Sequence, residues 1–130
     1  MDQPNHLFYE KGFLKGKVSD ELMNGPMRGW ICGHFYDLTD SRHRNDIEIC
    51  IKVIKPGFAE KTHYHLCSFE FIYIISGCIE YIINGECIKL MSDEYYFLRP
   101  CTHENILNVI TETKILCVRT PSIPNNKIFS

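Results

Sequence analysis

The amino-acid sequence predicts an all-β fold of the jelly-roll kind, in one domain of 130 residues. Short runs rich in β-branched and aromatic residues alternate with turn signals about every 8–12 residues. Apolar residues show almost no helical periodicity. Many short strands with few helices favour a sandwich or barrel, because these architectures leave few open sheet edges.

The composition is that of an ordinary globular domain, with 45% hydrophobic residues, 23% charged residues and a formal net charge of −2. No run or stripe of Lys and Arg indicates nucleic-acid binding, so we expect no nucleic-acid partner. No apolar run approaches the ~20 residues of a membrane span, so we expect no membrane insertion. The N-terminus lacks an apolar segment after a basic start, which predicts no secretory signal and a cytoplasmic location.

Seven cysteines are many for this length, but their number is odd and no CxxC spacing occurs. A disulfide framework is therefore not expected. We predict that most of these thiols are reduced in the cytosol and pack as small apolar side chains.

The chain divides into three parts. Residues 1–27 carry mixed signals, with a possible helical turn at SDELM and the breaker NGP, and are predicted to pack on the barrel or on a dimer partner. Residues 28–120 hold the strand-like runs and form the barrel. Residues 121–130 form a proline-containing tail.

The first strand-like runs are RGWICGHFYDL, from residue 28, and DIEICIKVIKPG. The second run alternates along its length, which is the pattern of a strand with two different faces. One predicted face carries Ile47, Ile49, Ile51 and Val53, and the other carries Glu48, Cys50 and Lys52.

The run FEFIYIIS is almost continuously apolar, which predicts burial on both faces or a contact with a second subunit. We expect Ser76 and Gly77 to end this strand. The following CIEYIINGECIKL reads as a β-hairpin, because Asn84 and Gly85 suit the positive φ angles of a two-residue type I′ turn. The runs EYYFLRP, CTHENI and TETKILCVRT then predict three further strands.

The candidate functional residues start in the short segment THYH. His63 and His65 are one residue apart, so in a strand both imidazoles point to the same face. Glu70 follows five residues later, and His103 offers a third imidazole from another strand. Neutral imidazoles and carboxylates suit divalent transition metals. We predict that His63, His65, Glu70 and His103 bind a metal, with Glu70 also a candidate catalytic base.

These residues resemble the first sequence motif of the cupin family, G(X)5HXH(X)3,4E(X)6G. Gly57, His63, His65, Glu70 and Gly77 fit every position of that motif. The resemblance implies a cupin-type jelly-roll β-barrel, also called a double-stranded β-helix. It also implies a homodimer, since cupins commonly pair, and FEFIYIIS supplies more apolar strand than a small barrel easily covers.

The second cupin motif, G(X)5PXG(X)2H(X)3N, is kept only in part. Asp93 stands where the family often has Gly-Asp, Pro100 precedes His103 by three residues rather than five, and Asn108 comes one residue late. Both glycines of the motif are absent. The resemblance covers about residues 29–122.

Several residues have more than one interpretation. His63, His65 and His103 could instead be hydrogen-bonded polar residues that never hold metal, although an unsatisfied buried polar group costs about 1–3 kcal/mol. Cys67 shares the strand parity of the two histidines and either faces the cavity or packs as an inert thiol. His34 either approaches the metal or is hydrogen-bonded in a half-buried strand. Six aromatic residues are candidates for pocket walls or for core filling: Phe71, Tyr73, Tyr81, Tyr95, Tyr96 and Phe97.

Three functions fit this pattern. The first is a metal-dependent enzyme of isomerase, decarboxylase, lyase or dioxygenase type acting on a small organic substrate, with Fe, Mn, Ni, Cu or Zn. The second is a metal-free carbohydrate isomerase or epimerase that uses a His base and a Tyr acid. The third is a non-catalytic module that binds or senses a small molecule.

Overall fold

A computed structural model describes residues 11–23 and 29–130. These residues form one short helix and eight strands, so the all-β prediction is confirmed. No helix among them is long and apolar enough to cross a membrane. The elements are α1 (Val18–Met23), β1 (Trp30–Cys32), β2 (Glu48–Ile54), β3 (His63–His65), β4 (Phe69–Ile83), β5 (Glu86–Met91), β6 (Tyr95–Leu98), β7 (Glu104–Thr120) and β8 (Lys127–Phe129).

The predicted helical turn at SDELM corresponds to α1, which lies against β2. The remainder of the predicted N-terminal part, residues 1–10 and the NGP breaker, lies outside the described residues.

Two long antiparallel strands, β4 and β7, organise the fold, because they pair with each other over their whole lengths. The first half of β4 pairs with the second half of β7 in one layer, flanked by β6 and β2. The second half of β4 pairs with the first half of β7 in another layer, flanked by β5 and by β3 with β8. Register shifts between Ile74 and Tyr81 separate the two halves and let the sheet curl.

The prediction that Ser76 and Gly77 end a strand is wrong, because β4 continues through them. Gly77 adopts a φ of 107°, and a Cβ there would lie 2.5 Å from the carbonyl oxygen of Glu112. The bend therefore needs glycine, which turns the strand without ending it. Likewise, CTHENI and TETKILCVRT belong to one strand, since Glu104–Thr120 is continuous.

The predicted hairpin is confirmed. Asn84 and Gly85 have φ angles of 47° and 84°, and they join β4 to β5 with Ile83 opposite Glu86. Positive φ at both central residues is what a type I′ turn requires.

The core lies between the two layers, against the inner faces of β2, β4, β6 and β7. The alternation predicted for β2 is present, and the buried face is the one that carries Glu48 and Cys50, which are 5% and 0% exposed. Val53, on the opposite face, is 40% exposed. The core cluster consists of Cys50, Ile54, Ile72, Ile74, Ile79, Tyr81, Leu90, Tyr96, Leu98, Ile106, Val109, Ile115 and Cys117.

The opposite side of the first layer is apolar as well, and we call it the outer face. The strand registers align its side chains in two rows across β2, β7, β4 and β6. Within this chain FEFIYIIS is thus buried on one side only, with Glu70, Ile72 and Ile74 inward. The first row of the outer face is Ile49, Val118, Phe71 and Phe97, and the second is Ile51, Leu116, Tyr73 and Tyr95.

Candidate metal centre

Strand β3 carries the two predicted imidazoles on its inner side. His63 and His65 are 2% and 5% exposed, while Tyr64 between them is half-buried on the other side. This is the alternation expected of a strand. His63 lies directly opposite Glu104 at the start of β7, so strand pairing brings a carboxylate to the imidazoles.

The structure gathers His63, His65 and Glu104 into one buried group. Their ligand atoms, one from each residue, all lie within 4.8 Å of one another. The Nε2 atom of His63 is 3.2 Å from a carboxylate oxygen of Glu104. Two imidazoles and one carboxylate at this spacing form a set that a divalent transition metal accepts.

The hydrogen bonds of His63 determine which nitrogen faces the cluster. Its Nδ1 lies 3.0 Å from the carbonyl oxygen of Lys61, which can only accept a hydrogen bond. Nδ1 therefore carries the proton, and Nε2 points to Glu104. Burial lowers the pKa of His63, but the hydrogen bonds to Glu104 and Lys61 outweigh burial, and the pKa lies above its ordinary value.

The Nε2 atom of His65 is buried and has no hydrogen-bond partner among the described residues. Burial, followed by the positive charge of Arg119, lowers the pKa of His65 to about 4. The ring is therefore neutral near pH 7, and its Nε2 atom faces the cluster without a hydrogen-bond partner. An unpaired buried polar atom is costly, so this atom fits a metal ligand.

The carboxyl groups of Glu104 and Glu70 lie on either side of the Tyr96 hydroxyl. That hydroxyl donates to Glu104 and lies 3.4 Å from the Oε2 atom of Glu70. Burial raises the pKa of Glu104, but hydrogen bonds with His63, Glu70 and Tyr96 outweigh burial and hold the pKa below its ordinary value. Burial, followed by the charge of Glu70, raises the pKa of Tyr96, which stays a neutral donor.

Glu70, predicted as a ligand and catalytic base, reaches the edge of the cluster. Its Oε1 is 3.7 Å from Nε2 of His65, but the same oxygen accepts a hydrogen bond from Arg119 at 3.1 Å and lies 3.6 Å from the Cys117 sulfur. Burial and the neighbouring Glu104 raise the pKa of Glu70. These contacts place Glu70 beside the three-residue group, and its roles as a ligand and as a catalytic base stay predictions.

Arg119 balances the charges behind the cluster. Its Nε donates to Glu70 and its NH1 donates to Glu48, each at 3.1 Å. The three residues lie opposite one another on β2, β7 and β4, in one row of the inner face. Sequence reasoning missed this arginine, because nothing near Arg119 in the chain indicates that it faces two buried carboxylates.

The structure does not bring His103 to the cluster. Its side chain is exposed, its Nδ1 lies 3.1 Å from the Ser130 hydroxyl, and its ring packs on the outward-facing Tyr64 at 4.7 Å between centroids. Glu104, the next residue, points inward instead. A shift of one residue moves a side chain to the other face of a strand, so Glu104, and not His103, lies with His63 and His65. The incomplete second motif was the signal that this region departs from the family pattern.

Cys67 and His34 also lie outside the cluster. Strand β3 ends at His65, so the alternation of side chains that places His63 and His65 on one face does not continue to Cys67. Cys67 is exposed, and its backbone N–H donates a hydrogen bond to the Asn126 side chain. His34 is half-buried, and its Nδ1 lies 2.8 Å from the Ser122 hydroxyl.

A cavity of about 360 Å³ leads from the surface to His63, Glu70 and Glu104. Of the six aromatic residues predicted as pocket walls or core, Tyr81 and Tyr96 line this cavity. The other four, Phe71, Tyr73, Tyr95 and Phe97, lie on the outer face.

No protein-family model matches the chain. Two curated proteins resemble a segment of it: polyketide synthase CurC of Streptomyces cyaneus, 34% identical over 44 residues, and tetracenomycin polyketide synthase protein TcmJ of Streptomyces glaucescens, 33% identical over 55 residues. These segments cover 34% and 42% of this chain. The chain thus matches only 29% and 37% of the lengths of these relatives.

Solved structures resemble the chain over a larger part of its length. An uncharacterised protein with a double-stranded β-helix domain from Klebsiella pneumoniae has a TM-score of 0.67 at 21% identity, over 91% of this chain and 97% of its own. A cupin protein from Bacteroides fragilis has a TM-score of 0.57 at 22% identity, over 72% and 80%. A variant of oxalate decarboxylase from Bacillus subtilis has a TM-score of 0.57 at 17% identity, over 65% and 24%. At these identities the likeness is one of fold.

Proposed function

The chain folds as a small cupin domain, and from that premise we propose that it is a metal-dependent enzyme acting on a small organic molecule. His63, His65 and Glu104 would hold a divalent transition metal, with His63 and Glu104 at the floor of the cavity and His65 in the lining of a smaller pocket. The observation that carries this proposal is the buried Nε2 atom of His65, a neutral imidazole nitrogen that faces two other ligand atoms and has no partner in the described part of the chain.

Three protein ligands leave coordination positions open, which is typical of catalytic rather than structural sites. A bound ion would act as a Lewis acid toward a substrate oxygen and stabilise the negative charge that develops there. The ligand types suit Fe, Mn, Ni, Cu and Zn. Two histidines and one carboxylate with open positions are also the ligand set of non-haem Fe(II) oxygenases.

The surrounding side chains would prepare this site. The Lys61 carbonyl orients the His63 ring, and Tyr96 orients the Glu104 carboxylate. Such outer hydrogen bonds set the direction and basicity of metal ligands. Tyr96, with its raised pKa, keeps its proton and is a hydrogen-bond donor beside the site.

Metal analysis tests the proposal. Protein purified without added metal, and its chelator-treated form titrated with Mn(II), Fe(II), Ni(II) and Zn(II), should bind about one ion per chain. His65→Gln and Glu104→Gln should each lower metal affinity strongly, because each removes one of three ligands. His103→Gln is the matched control and should bind metal like the unchanged protein. Equal metal content in all four proteins would contradict the proposed ligand set.

A second candidate function is metal-free proton transfer, as in a carbohydrate isomerase or epimerase. It is favoured by the 3.2 Å contact between His63 and Glu104, since this pair could hold a proton next to the Tyr96 hydroxyl. Chelator treatment separates the two candidates. Turnover of a sugar substrate that survives complete metal removal would support the second and overturn the first.

We also propose that the protein is a homodimer that covers its outer face with a second copy. The two rows of that face contain no charged residue, so two copies could meet there without like-charge repulsion. Tyr95 and Phe97 are 63% and 60% exposed, and contiguous exposed apolar surface of this kind marks interaction sites.

We propose a cytoplasmic location. Cys67, Cys87 and Cys101 are free and exposed. Exposed free thiols are typical of reducing compartments.

A further inference from the structure

We propose that the substrate is a small organic acid with an apolar body, whose acid group binds to lysines at the mouth of the cavity. This inference rests on the proposed function, since it assigns the floor of the same cavity to the reacting end of the substrate.

Three lysines, Lys52, Lys55 and Lys127, line the cavity. None of them forms an ion pair with a carboxylate among the described residues. The fourth basic side chain of the lining, Arg119, is already bonded to Glu48 and Glu70. The lysine charges are therefore free to meet an anion.

Aromatic rings lie beneath two of these ammonium groups. The Nζ atom of Lys52 is 5.5 Å from the centre of the Trp30 ring, and that of Lys127 is 5.4 Å from the centre of the Phe129 ring. Contact with the face of a ring favours the charged ammonium and restrains a flexible side chain. The rings thus restrain the ammonium groups of Lys52 and Lys127 near the entrance, and the N–H donors of both groups remain available to a ligand.

The acidic side chains of the lining do not cancel this charge. Glu60 accepts a hydrogen bond from the backbone N–H of Ile106, while Glu70 and Glu104 belong to the floor. Outside the floor, the cavity lining therefore carries three lysines and one carboxylate, Glu60. A negatively charged substrate is the ligand that this balance attracts.

The walls between mouth and floor are mostly apolar. Tyr81 is 2% exposed, lines the cavity, and its hydroxyl has no hydrogen-bond partner in the described ranges. At about 360 Å³ the cavity lies near the lower end of the roughly 300–1,000 Å³ typical of small-molecule sites. The apolar wall residues include Trp30, Ile54, Phe58, Ile72, Ile106 and Ile115.

A pair of probes with the same shape and different charge tests this assignment. Isothermal titration calorimetry compares 2-naphthoate with its neutral amide, 2-naphthamide, on metal-free protein, so that the carboxylate cannot bind to a metal. The unchanged protein should bind the acid about tenfold more tightly than the amide, because charge-assisted hydrogen bonds form only with the acid. Lys52→Met/Lys127→Met should abolish that preference.

The matched control is Lys89→Met/Lys114→Met, which removes the same charge from residues outside the cavity lining and should keep the preference. No preference in the unchanged protein, or a preference that survives in the Lys52→Met/Lys127→Met variant, would overturn the inference. Metal content of that variant should equal that of the unchanged protein. If the metal proposal is wrong, the unchanged protein and both double variants will all fail to bind metal. This result does not depend on whether the protein prefers the acid probe to the amide.

Discussion

The two sides of the first layer have opposite chemistry on the same four strands. The inner side carries an ion-paired row, Glu48, Arg119 and Glu70, next to the buried histidines. The outer side, one residue along each strand, carries the two rows of aliphatic and aromatic side chains and is partly exposed. A sheet that faces water usually shows the reverse pattern, with apolar residues inward and polar residues outward.

This reversed pattern indicates different roles for the two sides of the sheet. Buried charges are costly unless every one has a partner, and the inner row provides partners for both of its carboxylates. Such an arrangement is typical of a functional site rather than of a stable core. The outer side contains no such groups and is typical of a surface that a partner covers.

Replacing Arg119, the cation that Glu48 and Glu70 share, should have the largest effect on stability. Arg119→Met leaves Glu48 and Glu70 buried without their cation, and we expect the free energy of unfolding to fall by about 3–5 kcal/mol. Urea denaturation followed by circular dichroism measures this change. Val118→Ala, the next residue on the outer side, is the matched control and should cost about 1 kcal/mol. Similar losses for the two variants would contradict the difference between the sides.

Acid should destabilise the metal-free protein through His65. Its pKa is about 4 in the folded protein against an ordinary 6.5, so the unfolded chain takes up a proton first. Stability from this residue is complete above pH 6.5 and is lost as the pH falls toward 4, by about 3 kcal/mol in all. Denaturant titrations across this pH range, with chelator present, measure the loss.

His65→Gln should lack most of this pH dependence, because glutamine does not titrate. His63, whose folded pKa is raised, acts in the opposite direction and is present in both proteins, so the difference between them isolates His65. Parallel stability curves for the two proteins would show that His65 is not buried in its neutral form.

The outer face should control association. Tyr95→Glu/Phe97→Glu places two charges on each copy at the proposed contact, so we expect the dimer to dissociate to monomers at micromolar concentration. Light scattering after gel filtration measures the mass. Leu38→Glu, at an 80% exposed site outside the outer face, should leave the dimer intact. A monomeric unchanged protein would refute the dimer directly.

The smallest effect is expected at His103. Its side chain is exposed on the outward side of the β3–β7 region, so His103→Ala should change the free energy of unfolding by no more than about 0.5 kcal/mol. Glu104→Gln, one residue along, should destabilise the metal-free protein measurably, because it changes the partner of both His63 and Tyr96. Equal effects of the two changes would mean that the inward position of Glu104 is wrong.

The sequence by itself determined the features that depend on neighbouring residues. The all-β class, the hairpin at Asn84 and Gly85, and the common orientation of His63 and His65 all follow from turn chemistry and from the two-residue period of a strand. The first cupin motif likewise lies within 21 consecutive residues, from Gly57 to Gly77.

Only the tertiary structure decided which distant residues meet. The choice of Glu104 over His103 depends on the register between β3 and β7, and the pairing of Arg119 with Glu48 and Glu70 depends on three strands far apart in the chain. A shift of one residue in register exchanges the inner and outer sides, and local pattern does not contain that information. The buried side of β2 and the bend of β4 at Gly77 were decided in the same way, by contacts with β7.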